Sequence, residues 1–128
     1  MQIENFLQDD AESYNRIFSA RTKRLAIDII KLCKQYCSSE ELRIIGKQLI
    51  RSATSVAANY RASLRARSDA EKYAKLCIVV EESDETLFWL EVLQEGALIE
   101  EKILLPFLRE ATEIVKVMSV YRKKYQPA

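Results

Sequence analysis

Apolar residues recur along this chain in alternating steps of four and three, the spacing that lines them up on one side of a helix. Between residues 13 and 37 the positions Phe18, Thr22, Leu25, Ile29, Leu32 and Tyr36 form such a seam, with Arg16, Lys23 and Lys34 on the opposite side. Ser38 with Glu41 three residues later reads as a capping box, which opens a second helix over 39–66. Its main apolar face is Leu42, Ile45, Leu49, Val56 and Tyr60. Its middle (Ser52, Ala53, Thr54, Ser55, Ala57, Ala58) is slim enough for another helix to approach closely. Ser68 with Glu71 is a second capping box, and Gly96 suits a left-handed cap at the far end of a third helix. A fourth helix spans 101–124, with Pro106 in its first turns or at its true start. Its inner face is Leu108, Ala111, Ile114, Val115, Met118 and Tyr121, and Arg122, Lys123 and Lys124 stand at the negative end of its dipole.

Four long helices with short connections predict an all-α, antiparallel up-down-up-down four-helix bundle over residues 13–125. Residues 1–12 read as an N-terminal arm in which Ile3, Phe6 and Leu7 are candidates for docking.

The third helix departs from simple amphipathicity. At 100° per residue Leu76, Val80, Leu87 and Leu90 share one side, while Ile78, Trp89 and Val92 point the other way and Phe88 lies between. One bundle covers one side only, so the Trp-anchored second side predicts contact with another subunit; the alternative is that Trp89 lies flat against a neighbouring helix of the same bundle.

Composition sharpens this picture. Of 128 residues 48% are hydrophobic, and with two glycines and two prolines the chain encodes few turns. No apolar run approaches the roughly 20 residues of a membrane span. The first ten residues are acidic, unlike a secretory signal. Three cysteines, an odd number, point to reduced thiols and a cytoplasmic protein. The absence of histidine removes the commonest general base and metal ligand.

Near-neutrality, a net +1, hides a division of charge. Residues 38–67 hold six basic and two acidic side chains, whereas residues 68–96 hold two basic and eight acidic ones. On the second helix Arg43, Lys47, Arg51, Arg61 and Arg65 fall within a stripe about 80° wide, opposite the apolar face. Two readings stay open for that stripe. The arginines pair with carboxylates such as Glu81, Glu82 and Glu85 and set the register of helices or subunits. Alternatively, the first two helices present a basic face to phosphates. Arg51, beside the slim middle, is the best structural candidate; Arg61, Arg65 and Arg67, near the helix end, are the best candidates for a ligand.

Candidate chemistry is sparse. The run Glu81, Glu82, Asp84, Glu85 suggests carboxylate metal ligands, but a di-iron bundle needs histidines that are not there. Cys33 and Cys37 share a helix face with only Cys77 to add, short of a zinc set and better read as core thiols. Two glycines cannot build a phosphate loop. Asn59, close to the second helix's apolar face, reads as a buried register device bonded across to another helix. No catalytic residue, metal site or cofactor is expected.

The run Arg51-Ser-Ala-Thr-Ser-Val-Ala-Ala-Asn59-Tyr60-Arg61-Ala62 resembles the signature of a bacterial family, as do Arg65-Ala-Arg67-Ser68, Lys75, Glu81-Glu82-Ser83-Asp84-Glu85-Thr86 and Trp89-Leu90-Glu91. That family is the four-helix-bundle proteins encoded in 23S ribosomal RNA intervening sequences. More distantly, the chain is similar to the accessory variability proteins of diversity-generating retroelements. The resemblance spans roughly residues 16–122. It implies a ring-like homopentamer without known enzymatic activity, with Arg51, Asn59, Arg61, Glu82, Glu85 and Trp89 as signature residues. For the retroelement relatives it implies a basic surface that engages a reverse transcriptase and nucleic acid. The function expected is therefore that of a non-enzymatic, oligomeric, RNA-associated accessory protein acting alone or with a nucleoprotein partner. Its candidate contacts are Arg43, Lys47, Arg61, Arg65 and Arg67, and Arg51, Asn59, Ile78, Glu82, Glu85, Trp89 and Val92 hold the assembly. The alternative is a protein–protein scaffold that binds no nucleic acid.

Overall fold

A computed structural model describes residues 11–128. Four helices run in chain order: α1 Ala11–Tyr36, α2 Glu40–Leu64, α3 Asp69–Glu95 and α4 Glu101–Lys123. Each packs on the next, and α4 returns to α1 through the slimmest of the four seams. The predicted antiparallel four-helix bundle is thus the fold. The docking expected of Ile3, Phe6 and Leu7 in the arm lies outside the described residues.

The seam predicted for α1 forms the core as expected: Phe18, Thr22, Leu25, Ile29 and Leu32 are buried. On α2 the buried positions include Leu49, Ser52, Ala53, Val56 and Tyr60, while Leu42 and Ile45 are half-buried. On α4 Ala111, Ile114, Met118 and Tyr121 are buried; Leu104 and Val117 join them in place of Leu108 and Val115. Pro106 lies within α4, five residues past its start, where its missing N–H removes the helical bond to the carbonyl of Lys102.

Three local expectations are corrected. The α2 cap is Ser39, not Ser38: the Leu42 N–H donates to Ser39 Oγ at 3.3 Å, so the helix starts one residue later than the Ser38–Glu41 box implies. At Ser68 the expected cap forms, with the Glu71 N–H donating to Ser68 Oγ at 3.1 Å. Gly96 is right-handed at φ −78°, and Ala97 takes the left-handed turn at φ 52°. The inward side of α3 is also rotated. Its buried positions are Leu76, Val79, Ser83, Thr86, Leu90 and Leu93, a heptad alternation, whereas Val80 and Leu87 are half-buried. Ser83 and Thr86 belong to the core because α2 is slim opposite them: Thr86 Oγ1 donates to Ser52 Oγ at 2.9 Å.

A polar clasp ties one end of the bundle together. Tyr60 and Tyr121 both donate to Asn15 Oδ1, at 3.2 and 3.4 Å, joining α2 and α4 to α1. Burial pushes both phenols above their ordinary pKa. Arg21 crosses the slim α1–α4 seam to Glu110 with two bonds of 2.6 and 3.0 Å and lies over the Phe18 ring at 4.9 Å. The hydrogen bond to Glu110 raises the Arg21 pKa, outweighing burial.

Candidate nucleic-acid interface

The seam between α1 and α2 opens outward in two clefts. The first, of ≈ 300 Å³, lies where α1 ends and α2 begins. Ile30, Cys33, Cys37 and Ile50 contribute its apolar lining, and Lys34, Arg43 and Lys47 its charge. Gly46 makes this corner close-fitting, since a Cβ there would stand 3.3 Å from Cys37 Cβ. The second cleft, of ≈ 290 Å³, lies towards the other end of the same seam. Ala57 and Leu64 line it beside Lys23, Arg61 and Arg65. Neither cleft is lined by a carboxylate.

The six cations are exposed, and none forms an ion pair among the described residues. The reason is positional. At 3.6 residues per turn, Arg43, Lys47, Arg61 and Arg65 face away from α3, where the acids are. Along α1 the outward positions Lys23, Ile27, Ile30, Lys31 and Lys34 continue the face with bases and isoleucines. Ile27 and Ile30 are 37% and 43% exposed.

Arg51 belongs to a different environment. It is on the α3 side of the stripe, where it pairs with Glu85 and, at 3.4 Å, with Glu82. Its guanidinium therefore engages two of the four carboxylates that the run 81–85 offered as metal ligands. Among the described residues no cluster of three or more Cys, Asp or Glu side chains could hold a metal ion. Arg67 is highly exposed and reaches Glu71 at 3.7 Å, one turn into α3, so it stands apart from the clefts. Asn59 does not bond across to another helix, which corrects the sequence reading. Its Nδ2 donates within α2 to the Ser55 carbonyl and Ser55 Oγ at 2.9 and 3.0 Å, because its side of the helix is only half-buried and Ser55 is one turn away.

Ile78, Trp89 and Val92 are half-buried, and Phe88 is 52% exposed. Trp89 packs partly against the bundle's own core and meets Phe88 edge-on at 5.0 Å. Its indole Nε1 is buried without a hydrogen-bond partner.

Sequence reasoning separated the basic stripe from the apolar face but missed that it borders clefts. The signal was present in α1, whose outward bases and isoleucines recur at helical spacing beside the stripe. Burial disfavours the thiolate form in the first cleft: it raises Cys33 to about 12, with Cys37 beside it adding to the effect, and it also raises Cys37.

A closed antiparallel bundle with a two-helix basic face thus defines the class of protein. The model of the 23S rRNA-intervening sequence protein family matches residues 15–120, and the chain belongs to that family. It is also similar to the crystal structure of a protein of unknown function from the S23 ribosomal protein family of Bacteroides thetaiotaomicron. The identity is 29% and the TM-score 0.78, over 85% of this chain and 97% of that one. No curated protein matches the chain.

Proposed function

We propose that this protein is a non-enzymatic, self-associating bundle that binds RNA through phosphate contacts along the α1–α2 seam. The observation that carries the reading is the row of six cations beside the two clefts: Lys23, Lys34, Arg43, Lys47, Arg61 and Arg65, with no ion-pair partner among the described residues. Ion-paired bases release few counterions on binding an anion, whereas unpaired ones on a rigid face gain fully from phosphates. Chemistry of another kind has little support. The chain has no histidine, and its most buried thiol is held protonated near neutrality. The assembly we propose is the homopentamer that the family resemblance implies, which would repeat the basic face several times and gain from multivalency. Three free cysteines favour a reducing, cytoplasmic setting.

The test is a titration with structured RNA at several salt concentrations. Six phosphate contacts give a slope of log affinity against log salt of about −5. Arg61→Glu with Arg65→Glu is expected to abolish binding and leave oligomer mass unchanged. Loss of oligomer mass in that variant would make the two arginines structural and remove the support for RNA binding.

One observation favours a second reading, the protein–protein scaffold. Exposed Phe88, edge-on to half-buried Trp89, is a surface suited to another protein chain. A pure scaffold has no salt-dependent affinity for RNA.

A further inference from the structure

We infer that the ligand of the α1–α2 face is double-stranded RNA, gripped at two points through backbone phosphates and without reading of sequence. This inference rests on the phosphate-binding reading above and narrows it.

Three observations lead there. The cations form two groups rather than a continuous track: Lys34, Arg43 and Lys47 at one cleft, Lys23, Arg61 and Arg65 at the other. Lys47 and Arg61 are fourteen residues apart on one uninterrupted helix, so the groups stand about 21 Å apart. Between them the surface carries Ile27 and Thr54, with Ile30 and Ile50 at the edge of the first cleft and Lys31 the one further base, on the α1 side. A stiff duplex meets two fixed groups at that separation without losing freedom. A flexible single strand must be ordered across the apolar gap, and that ordering weakens binding.

The face also lacks the stacking and amide groups that read unpaired bases, leaving only its phosphate-binding cations and Ser19 as polar contacts. Neither cleft is lined by an aromatic side chain to stack a base, nor by Asn or Gln to read a base edge. What remains is recognition by shape and phosphate. Finally, the cations lie along the seam between two helices packed side by side, contributed by both of them. Such a surface cannot place a helix in the major groove of B-form DNA. It suits the wide, shallow minor groove of an A-form duplex.

The experiment compares a fluorescently labelled 20-base-pair RNA duplex, its isolated strands and the DNA duplex of the same sequence. Each is titrated with the full chain at the same low salt and read by anisotropy. The RNA duplex is expected to bind about ten-fold or more tightly than either alternative. Scrambling its sequence is expected to change affinity less than about two-fold. Arg43→Ala with Lys47→Ala, and separately Arg61→Ala with Arg65→Ala, should each reduce the duplex salt slope by about two, with helicity unchanged by circular dichroism. Tighter binding of single strands or of the DNA duplex overturns the inference and leaves the phosphate reading standing. A slope that responds to one pair only overturns the two-point grip. Failure of all three nucleic acids to bind overturns the phosphate reading itself.

Discussion

Ala97 is the one described non-glycine residue with a left-handed backbone, at φ 52°. It occupies the turn that ends α3: the Leu98 N–H donates to the Leu93 carbonyl at 2.9 Å and the Ala97 N–H to Gln94 at 3.0 Å, the paired bonds of a Schellman motif. A side chain in that conformation costs roughly 1–2 kcal/mol. Gly96, one residue earlier, is needed for a different reason. A Cβ there would lie 3.0 Å from the Val92 carbonyl oxygen and 3.2 Å from Leu98 Cγ. Spacing alone assigns the turn to the glycine, since glycine is the usual left-handed cap. Here the glycine provides room and the alanine carries the strain. Ala97→Gly is therefore expected to stabilise the fold by about 0.5–1 kcal/mol, after allowing for glycine's extra freedom in the unfolded chain. A urea midpoint that rises at unchanged m-value meets this expectation, and a lower midpoint refutes it.

At the scale of the element, α3 explains both what was legible and what was not. The α1 seam was readable because its inward positions are almost all apolar. The Ser68 cap was readable because side-chain chemistry fixes it locally. By contrast, two of six inward positions on α3 are Ser83 and Thr86, so a search for apolar residues rotates the helix towards Val80 and Leu87. What decides the rotation is the neighbour, since Ser52 on α2 supplies the bond that buries Thr86. The same limit applied to the site. The stripe Arg43, Lys47, Arg61, Arg65 follows from period alone, but which arginine meets a carboxylate depends on how α2 and α3 pack. Ser83 marks the cost of this polar layer. Its hydroxyl is buried without a partner and lines a cavity of ≈ 10 Å³ together with Thr22 and Thr86. A buried unsatisfied hydroxyl costs on the order of 1–3 kcal/mol, partly offset by the volume it fills. Ser83→Ala is thus expected to raise stability by about 1 kcal/mol in denaturant unfolding. A loss of stability would mean that the hydroxyl has a partner in solution, such as a water in that cavity.

For the whole molecule the question is how one bundle distributes its surfaces. The α1–α2 face carries bases with no ion-pair partner among the described residues. The outer flank of α2 and α3 carries the Arg51–Glu82–Glu85 group, in which the guanidinium is already paired and one negative charge is left over. Beside that group are apolar side chains. Ile44 is 59% exposed and lies two turns before Arg51 on the same side of α2; Phe88 lies one turn beyond Glu85 on α3. Exposed Ile44 and Phe88 with half-buried Trp89 and Val92, edged by this ion-pair group, have the makings of one half of a head-to-tail subunit contact, with an apolar centre and a polar edge. The basic face would then be left clear for its own ligand. Trp89→Ala is a poor first test, because Trp89 also packs on the bundle's core and its loss would weaken the protomer. Ile44→Ser with Phe88→Ser changes only exposed groups. The unsubstituted chain is expected to run as an assembly in light scattering, and the doubly substituted chain at the 14.8 kDa protomer mass with its helical circular dichroism kept. An unsubstituted chain that already runs at the protomer mass would remove the assembly. A substituted chain that keeps the assembled mass would place the subunit contact elsewhere, and the basic α1–α2 face would then be the next surface to test by charge reversal.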